Sequence, residues 1–327
     1  MHGSGAIAFP GLGIGEFFVD RVAFTVFGRE VYWYGVLIAT AFLLGVLLSL
    51  RLARENGLDQ DHIVNLVLIT TPVSIVGARA YYVLTTLDRY DSFYDMIAIW
   101  EGGIAIYGAI LAGMVCFFVY CRAKKLPFLK VLDVAAPSVI LGQGIGRWGN
   151  FVNQEAFGRV TDLPWRMELT INGVRQAVHP TFLYESLWDV AGCALLLWIF
   201  FHRRADGQTA FSYFVWYGVG RFFIEGLRTD SLYVGPFRIS QLVSIALCAV
   251  GVVMLRRILR RPAAGAAGEA QPGEAGCVPA PEQPAAELPP SGDAGAACAE
   301  QATADAPASG DEPGEAAACG PQEGQRP

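Results

Sequence analysis

Seven apolar runs divide this 327-residue chain, near residues 32–50, 63–86, 100–120, 131–147, 180–201, 209–227 and 239–255. Each approaches the length that crosses about 30 Å of hydrocarbon at about 1.5 Å per residue. In lipid every backbone N–H and C=O must be paired within its own segment, so such runs are helices. The expectation is an all-α polytopic membrane protein of seven transmembrane helices. The fourth run is short and the second carries Arg79. A chain 53% hydrophobic and 17% charged, with mean hydropathy +0.38, is also too apolar for an ordinary soluble domain.

Basic residues cluster at Arg51/Arg54, at Arg122/Lys124/Lys125/Lys130, at His202/Arg203/Arg204 and at Arg256/Arg257/Arg260/Arg261, which are alternate ends of successive runs. The positive-inside rule makes those ends cytoplasmic, with the N-terminus outside and the C-terminus inside. The expected organisation is an outer segment at 1–31, a seven-span domain at 32–261 with an outward insertion at about 148–179, and a tail at 262–327. Asn172-Gly173, between half-alternating runs in the insertion, signals a β-hairpin. The N-terminus lacks the basic and apolar regions of a cleavable signal peptide, so the first span is expected to stay in the mature protein.

The tail holds eleven acidic residues and one basic residue, Arg326, so the whole-chain charge of −6 leaves +4 over residues 1–261. Rich in Ala, Gly, Pro and Glu and without an aromatic residue, it is expected to be disordered, the alternative being an acidic docking tail. The seven cysteines form no CxxC pair and indicate neither a disulfide framework nor a zinc site.

The run Gly146-Arg-Trp-Gly-Asn-Phe-Val-Asn-Gln-Glu-Ala-Phe-Gly158 follows the fourth apolar segment without a spacer. Polar groups at the edge of hydrocarbon are costly and are usually kept for a task. With the orientation above, the other costly residues collect in the outer half. Tyr34 opens the first span, Arg79 lies near the outer end of the second, and Tyr107 lies one to two turns inside the third. Arg147 ends the fourth, and Glu185 lies more than a turn inside the fifth. Tyr217, Arg221, Glu225 and Arg228 share one stripe of the sixth. Each has a plain structural reading: Arg221 with Glu225 as an intrahelical ion pair, Arg79 and Arg228 snorkelling to headgroups, the tyrosines as an interfacial belt. Gly102, Gly103, Gly108 and Gly113 read as helix-packing contacts in the third span. As a set, at least three arginines are expected to outnumber the carboxylates within reach. Guanidiniums facing one cavity suggest a phosphate, here a phospholipid headgroup.

A transporter or channel for an organic anion is a competing reading, but the inner halves of the third, fifth, sixth and seventh spans are almost wholly apolar. A CDP-alcohol phosphotransferase would need a paired Asp-rich metal motif, which is missing.

These residues resemble the bacterial prolipoprotein diacylglyceryl transferases. The resemblance is carried by Gly146-Arg-x-Gly-Asn-Phe-x-Asn-x-Glu-x-x-Gly158, Tyr32-Trp-Tyr-Gly35, Gly77-Ala-Arg79, Glu101-Gly-Gly103, His179-Pro-Thr-x-x-Tyr-Glu185, Arg221-Phe-x-x-Glu225 with Arg228, and Ile239-Ser-Gln241. It implies transfer of the sn-1,2-diacylglyceryl group of phosphatidylglycerol to the lipobox cysteine thiol of a prolipoprotein, giving a thioether and glycerol 1-phosphate. It implies a multi-pass protein of the bacterial plasma (inner) membrane with its site toward the outer leaflet. No metal, organic cofactor or nucleic acid is implied.

On that resemblance Arg147 and Arg221 are expected to hold the headgroup and leaving-group phosphate, and Asn150 and Asn153 to orient glycerol oxygens or loop backbone. Glu155 and Glu225 position the guanidiniums, while Arg79, Gly158 and Tyr217 complete the phosphatidylglycerol site. Many family members have a histidine where this chain has Tyr107, so an imidazole base is not carried over. Tyr34, Tyr107 and Glu155 remain candidates for the group that ionises the thiol. His179, at a helix start, reads as structural.

Overall fold

The structure, a computed structural model, describes residues 5–260 apart from Asp91, Asn172 and Leu232. The tail read from composition, 262–327, lies outside the described residues. In chain order the elements are β1 (Ala6–Phe9), β2 (Ile14–Phe18), β3 (Val22–Val26), β4 (Arg29–Tyr32), α1 (Trp33–Glu55), α2 (Gln60–Thr85), α3 (Phe93–Ile97), α4 (Ile106–Ala123), α5 (Phe128–Asn153), β5 (Met167–Ile171), β6 (Val174–Val178), α6 (Thr181–His202), α7 (Gln208–Leu227), β7 (Tyr233–Val234), β8 (Phe237–Arg238) and α8 (Ile239–Leu259).

This is a mostly helical, polytopic membrane protein: α1, α2, α4, α5, α6 and α8 are long and apolar enough to cross a bilayer. The sequence suggested seven such helices. The remaining one, α7, is 20 residues long, but Gln208, Ser212, Arg221 and Glu225 dilute its apolar content. Two boundaries also differ. The third run starts its helix at Ile106 rather than near 100, because Gly102 and Gly103 hold φ of +90° and +77°, a conformation no helix continues through. Tyr107 is therefore in the first turn of α4 instead of one to two turns inside. The fourth run, which looked short, continues as helix to Asn153. The polar signature lies on its last two turns.

Strands add what the all-α reading lacked. Residues 6–32 carry β1 to β4, and the largest sheet has the order β2-β1-β5-β6 with every pair antiparallel. The β5–β6 hairpin matches the Asn172-Gly173 signal, with Gly173 at φ +80°; Asn172 itself lies outside the described residues. Pairing of Ile7 with Leu169 joins segments some 160 residues apart in sequence. The sheet's inner face places Ile7, Phe9, Met167, Leu169 and Val178 against Phe182 of α6, with Phe151 of α5 beside them. Phe151 and Phe182 have ring centroids 4.6 Å apart, so this apolar plug fixes the signature end of α5 to the start of α6.

Of the helices, α5 packs against α1, α6, α7 and α4, which makes it the central one. At its other end Asp133, fully buried, accepts hydrogen bonds from the amides of Gly207 (2.7 Å) and Ala210 (2.8 Å). It thereby satisfies the unpaired N–H groups that open α7. Thus α7 is docked on α5 at one end by a carboxylate and, as described next, is joined to it at the other through Glu185 of α6.

Candidate active site

The signature run is a helix end closed by its own side chains. Gln154 and Ala156 turn the chain back with φ of +55° and +57°, and the Glu155 amide donates to Asn150 O at 3.0 Å. Glu155 Oε1 then accepts from Asn150 Nδ2 (2.9 Å) and Asn153 Nδ2 (3.3 Å). Asn150 Oδ1 accepts from Arg147 Nη1 at 3.4 Å. Glycine is needed at 149 because a Cβ there would lie 2.6 Å from the Tyr34 ring. The small residue lets α1 lay its tyrosine across α5, one turn or less from Arg147.

From this scaffold Arg147 reaches α6. Its Nη2 lies 2.7 Å from Glu185 Oε1, and Arg221 Nη1 of α7 donates to the same carboxylate at 3.1 and 3.3 Å. Arg221 Nη2 is in turn 2.5 Å from Glu225 Oε2, an ion pair one helical turn along α7 rather than a well-directed hydrogen bond. The carboxylate side chains are 3% and 2% exposed, whereas Arg147 and Arg221 keep 21% and 15%. The cations therefore keep more exposure than the anions they pair with. Arg147 Nε is buried without a hydrogen-bond partner among the described residues, so donor capacity remains.

Tyr217 stacks on Tyr213 at 5.6 Å between centroids, and Tyr213 donates to Gln143 Oε1 at 3.3 Å. Arg238, buried at the start of α8, donates to the carbonyl oxygens of Glu225 and Arg228 and so ties down the C-terminal end of α7. Beneath Glu185, one turn along α6, Asp189 is 1% exposed. Sequence reading named neither Asp189 nor Arg238. The signal for Asp189 was its four-residue offset from Glu185; Arg238 gave none, since two of its three acceptors are backbone carbonyls and the third is the Ser231 hydroxyl.

Arg79 does not join this group. Its guanidinium donates to the carbonyls of Asp95 (2.6 Å), Met96 (3.0 Å), Gly102 (2.5 Å) and Gly103 (2.8 Å), holding the α2–α4 connection. Gly102 belongs to that connection and packs on nothing, whereas Gly103, Gly108 and Gly113 lie against α2, at Tyr82, Gly77 and Ser74. Arg228 turns away from the α7 stripe to a two-point pair with Asp230, at 3.0 and 2.7 Å. Burial pushes the Asp230 carboxyl up, but the Arg228 bonds and charge outweigh it and leave Asp230 below its ordinary 3.8.

Gly158 lies where three segments cross: its amide donates to His179 O at 3.0 Å, and a Cβ there would come within 2.6 Å of His179 Cβ and 3.2 Å of Leu227 O. His179 Nδ1 lies 3.2 Å from Tyr184 Oη, and burial lowers its pKa from the ordinary 6.5. Tyr34 and Tyr107 are 41% and 37% exposed.

The expected surplus of arginines is absent. With Arg79 and Arg228 engaged elsewhere, two guanidiniums, Arg147 and Arg221, pair with two carboxylates, Glu185 and Glu225, and Asp189 lies beneath them without a partner among the described residues. Chain order could not show this, because which arginine turns toward which loop is decided by tertiary packing. Among the described residues no group of three or more His, Cys, Asp or Glu side chains is placed to hold a metal ion.

Comparison with known proteins places the chain in context. A family model described as prolipoprotein diacylglyceryl transferase matches residues 21–257. A Finegoldia magna protein named phosphatidylglycerol–prolipoprotein diacylglyceryl transferase is 48% identical over 238 residues, covering 72% of this chain and 94% of that protein. Proteins of the same name from Thermosynechococcus vestitus and Pediococcus pentosaceus are 47% and 42% identical, over 67% and 73% of this chain and 85% and 91% of theirs.

Proposed function

The chain belongs to the prolipoprotein diacylglyceryl transferase family, and from that premise we propose how its arginine chamber carries out the transfer. The protein is a transferase that moves a diacylglyceryl group from phosphatidylglycerol to a prolipoprotein, the first step of lipoprotein maturation. In our reading the phosphodiester of the lipid sits on Arg147 and Arg221, and the acceptor is the lipobox cysteine thiol. The sulfur attacks the glyceryl carbon, the C–O bond to phosphate breaks, and glycerol 1-phosphate leaves. Positive charge fixed in a low-dielectric site favours the developing anion strongly.

The observation that carries this reading is the convergence of the two guanidiniums on one buried carboxylate while both stay partly open. Planar forks suit phosphate oxygens. Asn150, Asn153 and Glu155 form the wall that orients the headgroup glycerol, and Glu225 steadies Arg221. Tyr217 and Gly158 shape the site from behind, Arg79 acts by fixing the 95–103 segment, and Tyr34 and Tyr107 face the glyceryl carbon as hydrogen-bonding groups. An apolar cavity of about 410 Å³ between α1, α2, α4 and α5 suits an acyl chain. Ile38 at its upper end lies 3.7 Å from where a Cβ on Gly146 would be, beside Arg147. The chain spans the bacterial plasma membrane seven times, counting α7, with the chamber at the outer leaflet and the basic clusters cytoplasmic.

Incubating the purified protein with phosphatidylglycerol and a lipobox peptide tests the proposal. Mass spectrometry should find the peptide plus diacylglyceryl, with an equal amount of glycerol 1-phosphate. Transfer to a peptide whose cysteine is replaced by serine, or release of free phosphate instead, would contradict it.

A further inference from the structure

We propose that Glu185 and Asp189 together take the proton of the attacking thiol, and that arrival of the lipid phosphate at Arg147 and Arg221 frees Glu185 to do so. The inference rests on the transfer reaction proposed above.

The two carboxyls stand one turn apart on α6, so their side chains are neighbours on one face. Glu185 is held by both guanidiniums. Asp189 is 1% exposed, and neither of its oxygens has a hydrogen-bond partner among the described residues. A buried carboxyl without a partner is costly and calls for an explanation. Around it stand Gly144 of α5, whose Cβ position is 3.2 Å from Asp189 Cβ, and Tyr213 and Tyr217 of α7. The charged groups of the chamber are Arg147 from α5, Glu155 from the turn after it, Glu185 from α6, and Arg221 and Glu225 from α7.

Before any ligand binds, the two guanidiniums are matched by two paired carboxylates, Glu185 and Glu225. A phosphodiester that engages Arg147 and Arg221 adds a further negative charge and competes with Glu185 for the same N–H donors. In a low-dielectric chamber that imbalance is costly, and uptake of one proton relieves it. The thiol is the group that must give one up. Its S–H proton passes to Glu185, with Asp189 as a positioning residue that shares the charge. The sulfur electron pair forms the C–S bond, the C–O bond breaks, and its electrons stay on the glycerol 1-phosphate oxygen beside the two arginines. When that product leaves, Glu185 returns to the guanidiniums and the proton passes to solvent.

The test compares the wild type with Asp189→Asn and Asp189→Glu, in the whole enzyme, on two lipobox peptides that carry cysteine or selenocysteine. A selenol is ionised at neutral pH without help. With the cysteine peptide at pH 7, Asp189→Asn should lower kcat about 100-fold, within the range of general-base effects, with KM for phosphatidylglycerol unchanged and Asp189→Glu recovering most of the rate. The loss should shrink to a few-fold with selenocysteine, and also above pH about 8.5, where a free thiol ionises by itself. An equal loss on both peptides would make Asp189 structural and overturn the inference, as would full activity of Asp189→Asn. Transfer by the wild type in the same assay keeps the transferase reading standing in either case.

Discussion

Arg147 and Arg221, on different helices, meet at one oxygen: Nη2 of the first and Nη1 of the second lie 2.7 and 3.1 Å from Glu185 Oε1. Glu185 is thus the anion that lets two cations stand side by side in the membrane. Removing it leaves Arg147 without an ion-pair partner among the described residues and Arg221 with Glu225 alone, and breaking a buried pair typically costs about 3–5 kcal/mol. Glu185→Ala is expected to lower the thermal unfolding temperature in detergent more than Glu155→Ala, since Glu155 is exposed and its side chain hydrogen-bonds the two asparagines without an ion pair among the described residues.

Tyr107 separates two roles. Its hydroxyl can act as a hydrogen-bonding group or as a base. Tyr107→Phe should reduce kcat by about ten-fold or less; near-full activity would remove the hydroxyl from the chemistry, and loss as deep as that of an arginine variant would make it essential.

At Gly158 there is no room for a side chain, because His179 Cβ and Leu227 O flank it at 2.6 and 3.2 Å from a Cβ position. Gly158→Ala must push the signature turn away from α6 and α7. A stability loss of about 1–3 kcal/mol is expected for such overpacking, with transfer falling further than stability because Glu155 moves with the turn. Thermal unfolding and the transfer assay check the two parts separately.

His179 gives a pH dependence. Burial lowers its pKa from 6.5, so above pH 6.5 it is neutral both folded and unfolded and contributes no slope. As pH falls below 6.5 the unfolded chain binds the proton first, and stability declines until the folded-state value is passed. His179→Gln should flatten the unfolding temperature measured between pH 7.5 and 5; an unchanged slope would place the dependence elsewhere.

How much was legible differs by element. Apolar length fixed the helices, since lipid leaves the backbone no alternative, and a composition of motifs pointed to Arg147, Arg221 and Glu225. The β1–β5 pairing was not legible, because a four-residue strand finds its partner some 160 residues away through packing of Ile7 and Leu169. Nor was the fate of Arg79, whose four acceptors are backbone carbonyls that carry no side-chain signature. The charge balance of the chamber turned on that same point. Tyr34 was legible as a site candidate, yet only Gly149 explains how its ring lies across α5.

The most direct measurement is transfer and phosphatidylglycerol binding by Arg147→Ala, Arg221→Ala and the double variant, each confirmed to be inserted in the membrane. Loss of one preorganised donor to a developing anion typically costs about 100- to 1,000-fold. Each single variant should lose transfer to at least that extent, and the double should be little worse, since the two guanidiniums grip one phosphate as a unit. Full lipidation of the lipobox peptide by either single variant would contradict the account.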